Sequence, residues 1–276
     1  MKNEKHRFSN LNSYIYPMKT KTLIIILNIL FCVAIQLSGQ DTTDYRILFP
    51  SGISAGYGQG LYSVKDEFIS DQKYSGTLPY FNVQWVRFHH QNGYRLEFEY
   101  RISDNIKNNN ISAEAKQFAF NQDFFYPVGS FSMLSKNMYI FLGPSLQYFY
   151  YDIIYNFVQP GTFIKSKTFG SIGSLGVNAA FVYQINTRLK INGSLRSNLF
   201  SVAGKIIDEE VYEETSPRFF TFFTGTKFDF DFYIHYFLFH KISVSMGYKF
   251  DLSRINKWDP YIAASNNLVF SLNYNF

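Results

Sequence analysis

The sequence predicts an all-β chain: a closed antiparallel up-and-down transmembrane β-barrel of ten strands, following a cleaved N-terminal signal peptide. Three observations predict it. From Gly52 onward, segment after segment alternates apolar and polar side chains with the two-residue period of a two-faced strand, and no helical period is sustained. The composition includes 31 Phe and 22 Tyr, an aromatic load that suits a lipid-facing surface with interfacial girdles. In the last nine residues Leu268, Phe270, Leu272, Tyr274 and Phe276 share one face while Ser271, Asn273 and Asn275 share the other, with Val269 the one apolar residue on that second face.

The leader comes first. Residues 1–17 are polar and precede Met18, and are expected to be an over-extended start; 18–39 reads as the signal peptide, 40–51 as a periplasmic lead-in and 52–276 as the barrel. Lys19 and Lys21 stand before an apolar run from Leu23 to Leu37, and Ser38-Gly39-Gln40 supplies small residues for cleavage after Gly39. That run is too short to cross a bilayer, which takes about 20 apolar residues. Cys32 is not read as a lipidation site, because Phe31 stands where a small residue is required. Cleavage removes this cysteine and leaves a mature chain with no thiol, which excludes disulfides and CxxC metal or redox motifs. Residues 1–39 also hold five Lys/Arg and one Glu, so 21 basic and 20 acidic groups remain and the whole-chain charge of +5 falls to +1. A near-neutral mixture with no basic cluster excludes nucleic acid as a partner.

The strands follow in order. The first is expected near 52–64 and the second near 77–88. The third, near 93–102, sets Tyr94, Leu96, Phe98, Tyr100 and Ile102 against Arg95, Glu97, Glu99 and Arg101. The fourth (113–126), fifth (138–152) and sixth (170–185) are expected next, the second, fourth and fifth alternating less regularly. In the seventh, near 187–200, Leu189, Ile191, Leu195 and Leu199 oppose Lys190, Asn192, Ser194, Arg196 and Asn198. The eighth is expected near 218–238. The ninth, near 241–253, puts Ile242, Val244, Met246, Tyr248, Phe250 and Leu252 on one face and Ser243, Ser245, Gly247, Lys249, Asp251 and Ser253 on the other. The tenth runs 266–276.

The connections predict the topology. Gaps at 65–76, 103–112, 153–169, 201–217 and 254–265 are long, while those at 89–92, 186 and 239–240 are short; 128–137 is longer than a periplasmic turn should be. Long extracellular loops alternating with short periplasmic turns place both termini at the periplasmic end. A soluble sandwich or lipocalin-like barrel shares the strand parity, with its apolar face inward. The aromatic content, the signal peptide and the terminal Phe276 favour the membrane barrel.

Together, the Ser38-Gly39-Gln40 junction, the opening Gly52-Ile53-Ser54-Ala55-Gly56-Tyr57-Gly58 and the closing Asn273-Tyr274-Asn275-Phe276 resemble the outer-membrane β-barrel proteins common in the Bacteroidetes. The resemblance spans residues 38–276. It implies outer-membrane residence, and it implies that Phe276 ends an assembly signal read transiently by the barrel assembly machinery. It implies no particular chemistry.

With the apolar faces toward lipid, the opposite faces line the lumen. The expected charged lining is Arg95, Arg101, Lys116, Lys190, Arg196, Lys227 and Lys249 against Glu97, Glu99, Asp123, Asp229, Asp231 and Asp251. A ten-stranded barrel is narrow enough for opposed charges to meet, and unpaired charge in a poorly hydrated lumen is costly. A closed, charge-paired interior is therefore expected, with Asp229 and Asp231 beside Lys249 across the ladder. A narrow solute pore is the alternative.

Catalysis finds little support. His89, His90, His235 and His240 all fall at the expected periplasmic end as turn or interfacial residues, away from a surface substrate. Arg196-Ser197-Asn198, with Ser197 on the lipid side, faintly resembles the His-x-Ser-Asn stretch of lipid A deacylases, but Leu195 stands where the histidine belongs. The acidic run Asp208-Glu209-Glu210 with Glu213-Glu214 reads as a solvated surface loop. The expected protein is a monomer without cofactor or metal, in contact with outer-membrane lipid and lipopolysaccharide, with a structural or surface-binding role.

Overall fold

A computed structural model of the chain describes residues 51–276 apart from 68–69, 90–91, 109–110, 135, 160–161, 208–214 and 257–259. The leader, the signal peptide, the lead-in up to residue 50, His90 and the acidic run at 208–214 lie outside the described residues. Eleven strands occur among the described residues: β1 Gly52–Asp66, β2 Ser70–His89, β3 Asn92–Asn108, β4 Ile111–Met133, β5 Lys136–Gln159, β6 Thr162–Gln184, β7 Leu189–Ile207, β8 Thr215–Thr221, β9 Gly225–Phe237, β10 Ile242–Ile255 and β11 Tyr261–Asn275.

They form ten staves of a closed barrel. Each strand from β1 to β7 pairs antiparallel with the next, and β9, β10 and β11 continue the order. The seam is complete, because β1 pairs β11 from Gly52 opposite Asn275 to Asp66 opposite Tyr261. The expected eighth strand is interrupted. β7 pairs β9 over 189–197 and β8 over 200–205, so β8 and β9 share one stave. The break is built locally: the Thr224 amide donates to the Thr221 carbonyl at 2.9 Å, closing a turn. On the inner side Asn198 bridges the gap, donating to the Gly225 carbonyl at 2.8 Å and accepting from the Lys227 amide at 2.7 Å. The buried backbone groups freed by the break are thereby satisfied.

Side-chain direction settles which face is apolar. Ile53, Tyr57, Phe81, Phe98, Leu175, Leu195, Met246 and Phe270 all point outward and are exposed. Rings on neighbouring staves touch across this outer face, as in Tyr57 with Phe81 at 5.1 Å and Phe98 with Phe120 at 4.9 Å between centroids. A belt around every stave far exceeds the few hundred Å2 of contiguous apolar surface that a water-soluble protein exposes. Its height fits a bilayer. From Leu268 to Phe276 the outward side chains are apolar, which at about 3.4 Å per residue and about 40° of tilt gives about 20 Å, close to the roughly 25 Å band of outer-membrane barrels. The chain is an outer-membrane β-barrel.

The staves continue well past this belt. β5 has 24 residues where about 9–11 cross a membrane. Consequently the segments read from sequence as long loops at 65–76, 103–112, 153–169, 201–217 and 254–265 are mostly strand. The physical reason lies on the outer face. Beyond the belt, Lys73, Ser75, Asp152 and Lys167 point away from the lumen, so the apolar alternation stops while the hydrogen-bonded ladder goes on. The supposed long connection at 128–137 is likewise a tight hairpin, with Met133 paired to Lys136.

That hairpin contains Leu134, whose φ of 49° is left-handed. A side chain with a Cβ is disfavoured there, whereas asparagine tolerates it. Leu134 is 82% exposed and loses little packing on replacement. Leu134→Asn is expected to raise stability by about 0.5–1 kcal/mol, read as a higher denaturant midpoint of the folded barrel.

Candidate functional site

The interior is filled in layers that follow the inner faces of the staves. The middle layer is charged. Twelve of the thirteen charged residues expected in the lumen face inward, eleven of them in or beside this layer and Lys190 nearer the chain termini, and all but Asp251 are buried; the Asp251 side chain is 16% exposed. Lys116 does not belong with them. It points outward on β4, on the same face as Phe118 and Phe120 and in register with Asp152, because the inner face of β4 is carried by Ala113, Ala115, Gln117 and Ala119. Removing it leaves six cations and six acids among the named lumen residues.

Arg196 from β7 is the hub. Its side chain is 1% exposed, with Nη2 2.7 Å from Glu97 Oε2 and Nε 2.9 Å from Asp123 Oδ2. Asp229 and Asp231 stand farther off, at 3.9 and 3.7 Å. Arg95 shares Asp123 at 2.8 Å and also donates to Ser194 Oγ at 2.8 Å, which in turn donates to Asp231 at 2.7 Å. Ser145 and Gln147 on β5 complete the acids, donating to Asp123 at 2.7 Å and to Asp229 at 2.9 Å. A second lobe surrounds Lys249, which binds Glu97 Oε1 at 2.9 Å and Glu99. Arg101 joins Glu99 at 2.8 Å to Asp251 at 2.7 Å. The expected pairing of Lys249 with Asp231 and Asp229 is corrected here. Asp231 is its register partner on β9, yet the ammonium reaches across the lumen to β3, where two carboxylates converge. Lys227 lies 3.5 Å from Asp229.

Beyond this layer, away from the chain termini, the lumen is packed with rings and aliphatic groups that sequence reasoning missed. Tyr62, Tyr74, Ile106, Phe149, Tyr151, Ile153, Tyr155 and Tyr261 are buried together. Tyr151 stacks on Tyr261 at 4.5 Å, and Tyr74 meets Tyr155 edge-on at 4.9 Å. A partly buried ion pair, Lys205 with Asp66 at 2.6 Å, lies at the far side of this packing. Most of these residues sit in stretches taken for loops. The signal available was the spacing of Tyr151, Ile153 and Tyr155, which keeps the parity of Phe149.

The wall of β1 makes room for this filling. At Gly56, Gly58 and Gly60 the inner face carries no side chain. An added Cβ at Gly60 would overlap the Asn266 carbonyl oxygen of the seam partner, a backbone atom that cannot swing aside.

Toward the chain termini the charged layer opens into a vestibule of about 80 Å3. His235 lies on its wall, with Nε2 3.0 Å from Asn192 Oδ1. It is therefore an inner-wall residue and not a turn residue as expected, whereas His89 and His240 are exposed near the turns. Ser197 faces outward midway along β7, with Val177 and Phe228 as its register partners. No group of three or more His, Cys, Asp or Glu side chains placed to hold a metal ion occurs among the described residues.

No protein-family description and no curated protein matches the sequence. Solved structures do resemble it in outline. The outer membrane protease OmpT from Escherichia coli aligns at 7% identity, covering 83% of this chain and 98% of its own, with a TM-score of 0.49. The translocator domain of the autotransporter NalP from Neisseria meningitidis aligns at 10% identity over 92% and 96%, also at 0.49. Ail, the attachment invasion locus protein of Yersinia pestis, aligns at 10% identity over 83% and 100%, at 0.32. These are outer-membrane proteins with several different activities, and the assignment as an outer-membrane barrel rests on this chain's own closed staves and apolar belt.

Proposed function

We propose that this chain is a non-conducting outer-membrane barrel of the Bacteroidetes type, monomeric and without catalytic activity, that serves a structural or surface-binding role. The observation that carries the reading is the double seal of the lumen: a layer of crossed ion pairs from five strands, backed by a packed tyrosine and aliphatic layer. An aqueous path would have to break both. The rim bearing the termini faces the periplasm and the long staves rise from the outer surface, which makes the far rim the part available to extracellular partners. Outer-membrane lipid and lipopolysaccharide cover the belt, and the assembly machinery meets the chain transiently through Phe276. Ser197 lacks a base among its strand neighbours, which supports the non-enzymatic reading.

Planar-bilayer recording tests it. The reconstituted protein is expected to give no discrete current steps above baseline; reproducible single-channel steps from the wild-type protein would replace this reading with that of a narrow solute pore.

A further inference from the structure

We infer that the periplasmic rim of the barrel is a docking surface for the headgroups of anionic phospholipid in the leaflet around it. This deepens the lipid contact proposed above and rests on the orientation given there, with the termini at the periplasmic end.

The charge of this rim follows from the sequence. No Asp or Glu occurs in residues 51–60, 84–94, 124–144, 180–193, 232–248 or 268–276, the segments that build this end of the staves and their turns. Arg87, Lys136, Arg188 and Lys241 stand in them, one at each of the four hairpins that close this end, and all four side chains are exposed. Few carboxylates can offset them. The α-carboxylate of Phe276 lies at the rim, and the lead-in, outside the described residues, sets Asp41 and Asp44 against Arg46. With these counted, cations still lead by five to three. The far rim is mixed instead, with Lys65 bonded to Glu67 at 2.7 Å and Lys167 facing Asp152 at 3.6 Å on the outer wall.

Backbone bonds fix where the cations sit. Asn186 Oδ1 accepts from the Arg188 and Leu189 amides, both at 2.8 Å, and the Arg188 carbonyl accepts from the Phe237 amide at 2.8 Å. The Lys241 carbonyl accepts from the Asn275 amide at 2.7 Å, and Lys136 pairs with Met133 across its hairpin. Turns tied in this way hold the cations around the end of the apolar belt. Trp85 and Tyr94 mark that level, as outward rings meeting edge-on at 5.1 Å, and Arg87 is the register partner of Tyr94.

Apolar side chains beside the cations select a lipid as the occupant over an anionic glycan of the cell wall. Phe239, 71% exposed, and Leu238 share the turn of Lys241, while exposed Phe131, Met133 and Leu134 share the hairpin of Lys136. A cation next to exposed apolar groups grips an anionic bilayer surface, because the charge meets phosphate while its neighbours enter the acyl boundary. A glycan would leave them in water. The surface is also continuous with the belt, so a headgroup held here belongs to a lipid whose chains already cover the wall.

Native mass spectrometry of the full protein, folded in detergent, tests the surface with phosphatidylglycerol and phosphatidylcholine of identical chains added together. Retained phosphatidylglycerol is expected to exceed phosphatidylcholine by about fivefold or more. The combined variant Arg87→Gln, Lys136→Gln, Arg188→Gln and Lys241→Gln should bind the two alike, while Lys73→Gln with Lys107→Gln at the far rim keeps the wild-type preference. If the fourfold variant does not fold, as judged by heat-dependent gel mobility, Arg188→Gln with Lys241→Gln takes its place and should at least halve the preference. Equal binding by the wild-type protein, an unchanged preference in the rim variant, or its loss in the far-rim variant would overturn the inference. Binding to purified peptidoglycan without a lipid preference would reassign the surface to the cell wall. Orientation is checked separately: a membrane-impermeant maleimide should label Leu134→Cys only in permeabilised cells. Labelling in intact cells would overturn the periplasmic assignment while leaving the lipid preference in detergent in place.

Discussion

Arg196→Met is expected to remove about 3–5 kcal/mol of stability, the range for breaking a buried ion pair from one side. The magnitude follows from what is left behind. Glu97 and Asp123 are fully buried and take their shortest contacts with β7 from this guanidinium, so its loss strands negative charge in a space that water reaches poorly. Methionine keeps the volume and thereby separates charge from packing. The double replacement Arg196→Met with Asp123→Leu should recover part of the loss, because removing both partners removes the stranded charge. Denaturant unfolding of the protein in detergent measures both. A single variant with a wild-type midpoint would show that the interior pairs contribute nothing to holding the staves.

The second large effect is expected on the opposite face of the wall. Phe270 is 58% exposed at the centre of the belt, between Tyr57 on β1 and Met246 on β10. Phe270→Arg should cost about 2–4 kcal/mol in lipid vesicles, as for a cation at the midplane of a barrel's lipid face. On a water-facing surface the same change would fall within about 0.5 kcal/mol. Folding yield and unfolding midpoint in vesicles against detergent therefore report what solvent the belt meets, and an unaffected variant would contradict the membrane assignment.

Sequence alone revealed the staves wherever the outer face is greasy. In β3, β10 and β11 the apolar positions fall on alternate residues through the belt, and their partners face inward as expected. Twelve charged residues were placed correctly by parity. Lys116 was misplaced because charge was taken as a mark of the lumen; it shares the parity of Phe118, Phe120 and Phe124, which lie on the lipid side. The tyrosine layer was hidden for a related reason. Beyond the belt the inner face turns aromatic and aliphatic while the outer face takes up polar side chains such as Lys73, Ser75 and Asp152, so the polar-in, apolar-out parity that marks the staves is lost although the ladder continues. Cross-lumen partners such as Lys249 and Glu97, 152 residues apart, follow from curvature and stagger of the closed sheet, which no local pattern encodes.

The crossed ion pairs also bear on how the barrel reaches its final form. Sliding any stave by two positions keeps its greasy face outward and preserves most ladder bonds, so neither lipid nor backbone strongly opposes such a slipped neighbour. Charge does. Arg196 meets Glu97 and Asp123, and Arg101 meets Asp251, only when strands far apart in the chain hold one common alignment. A misaligned intermediate would trap bare ions within its wall, and the interior thus proofreads the assembly by penalising every closure but one.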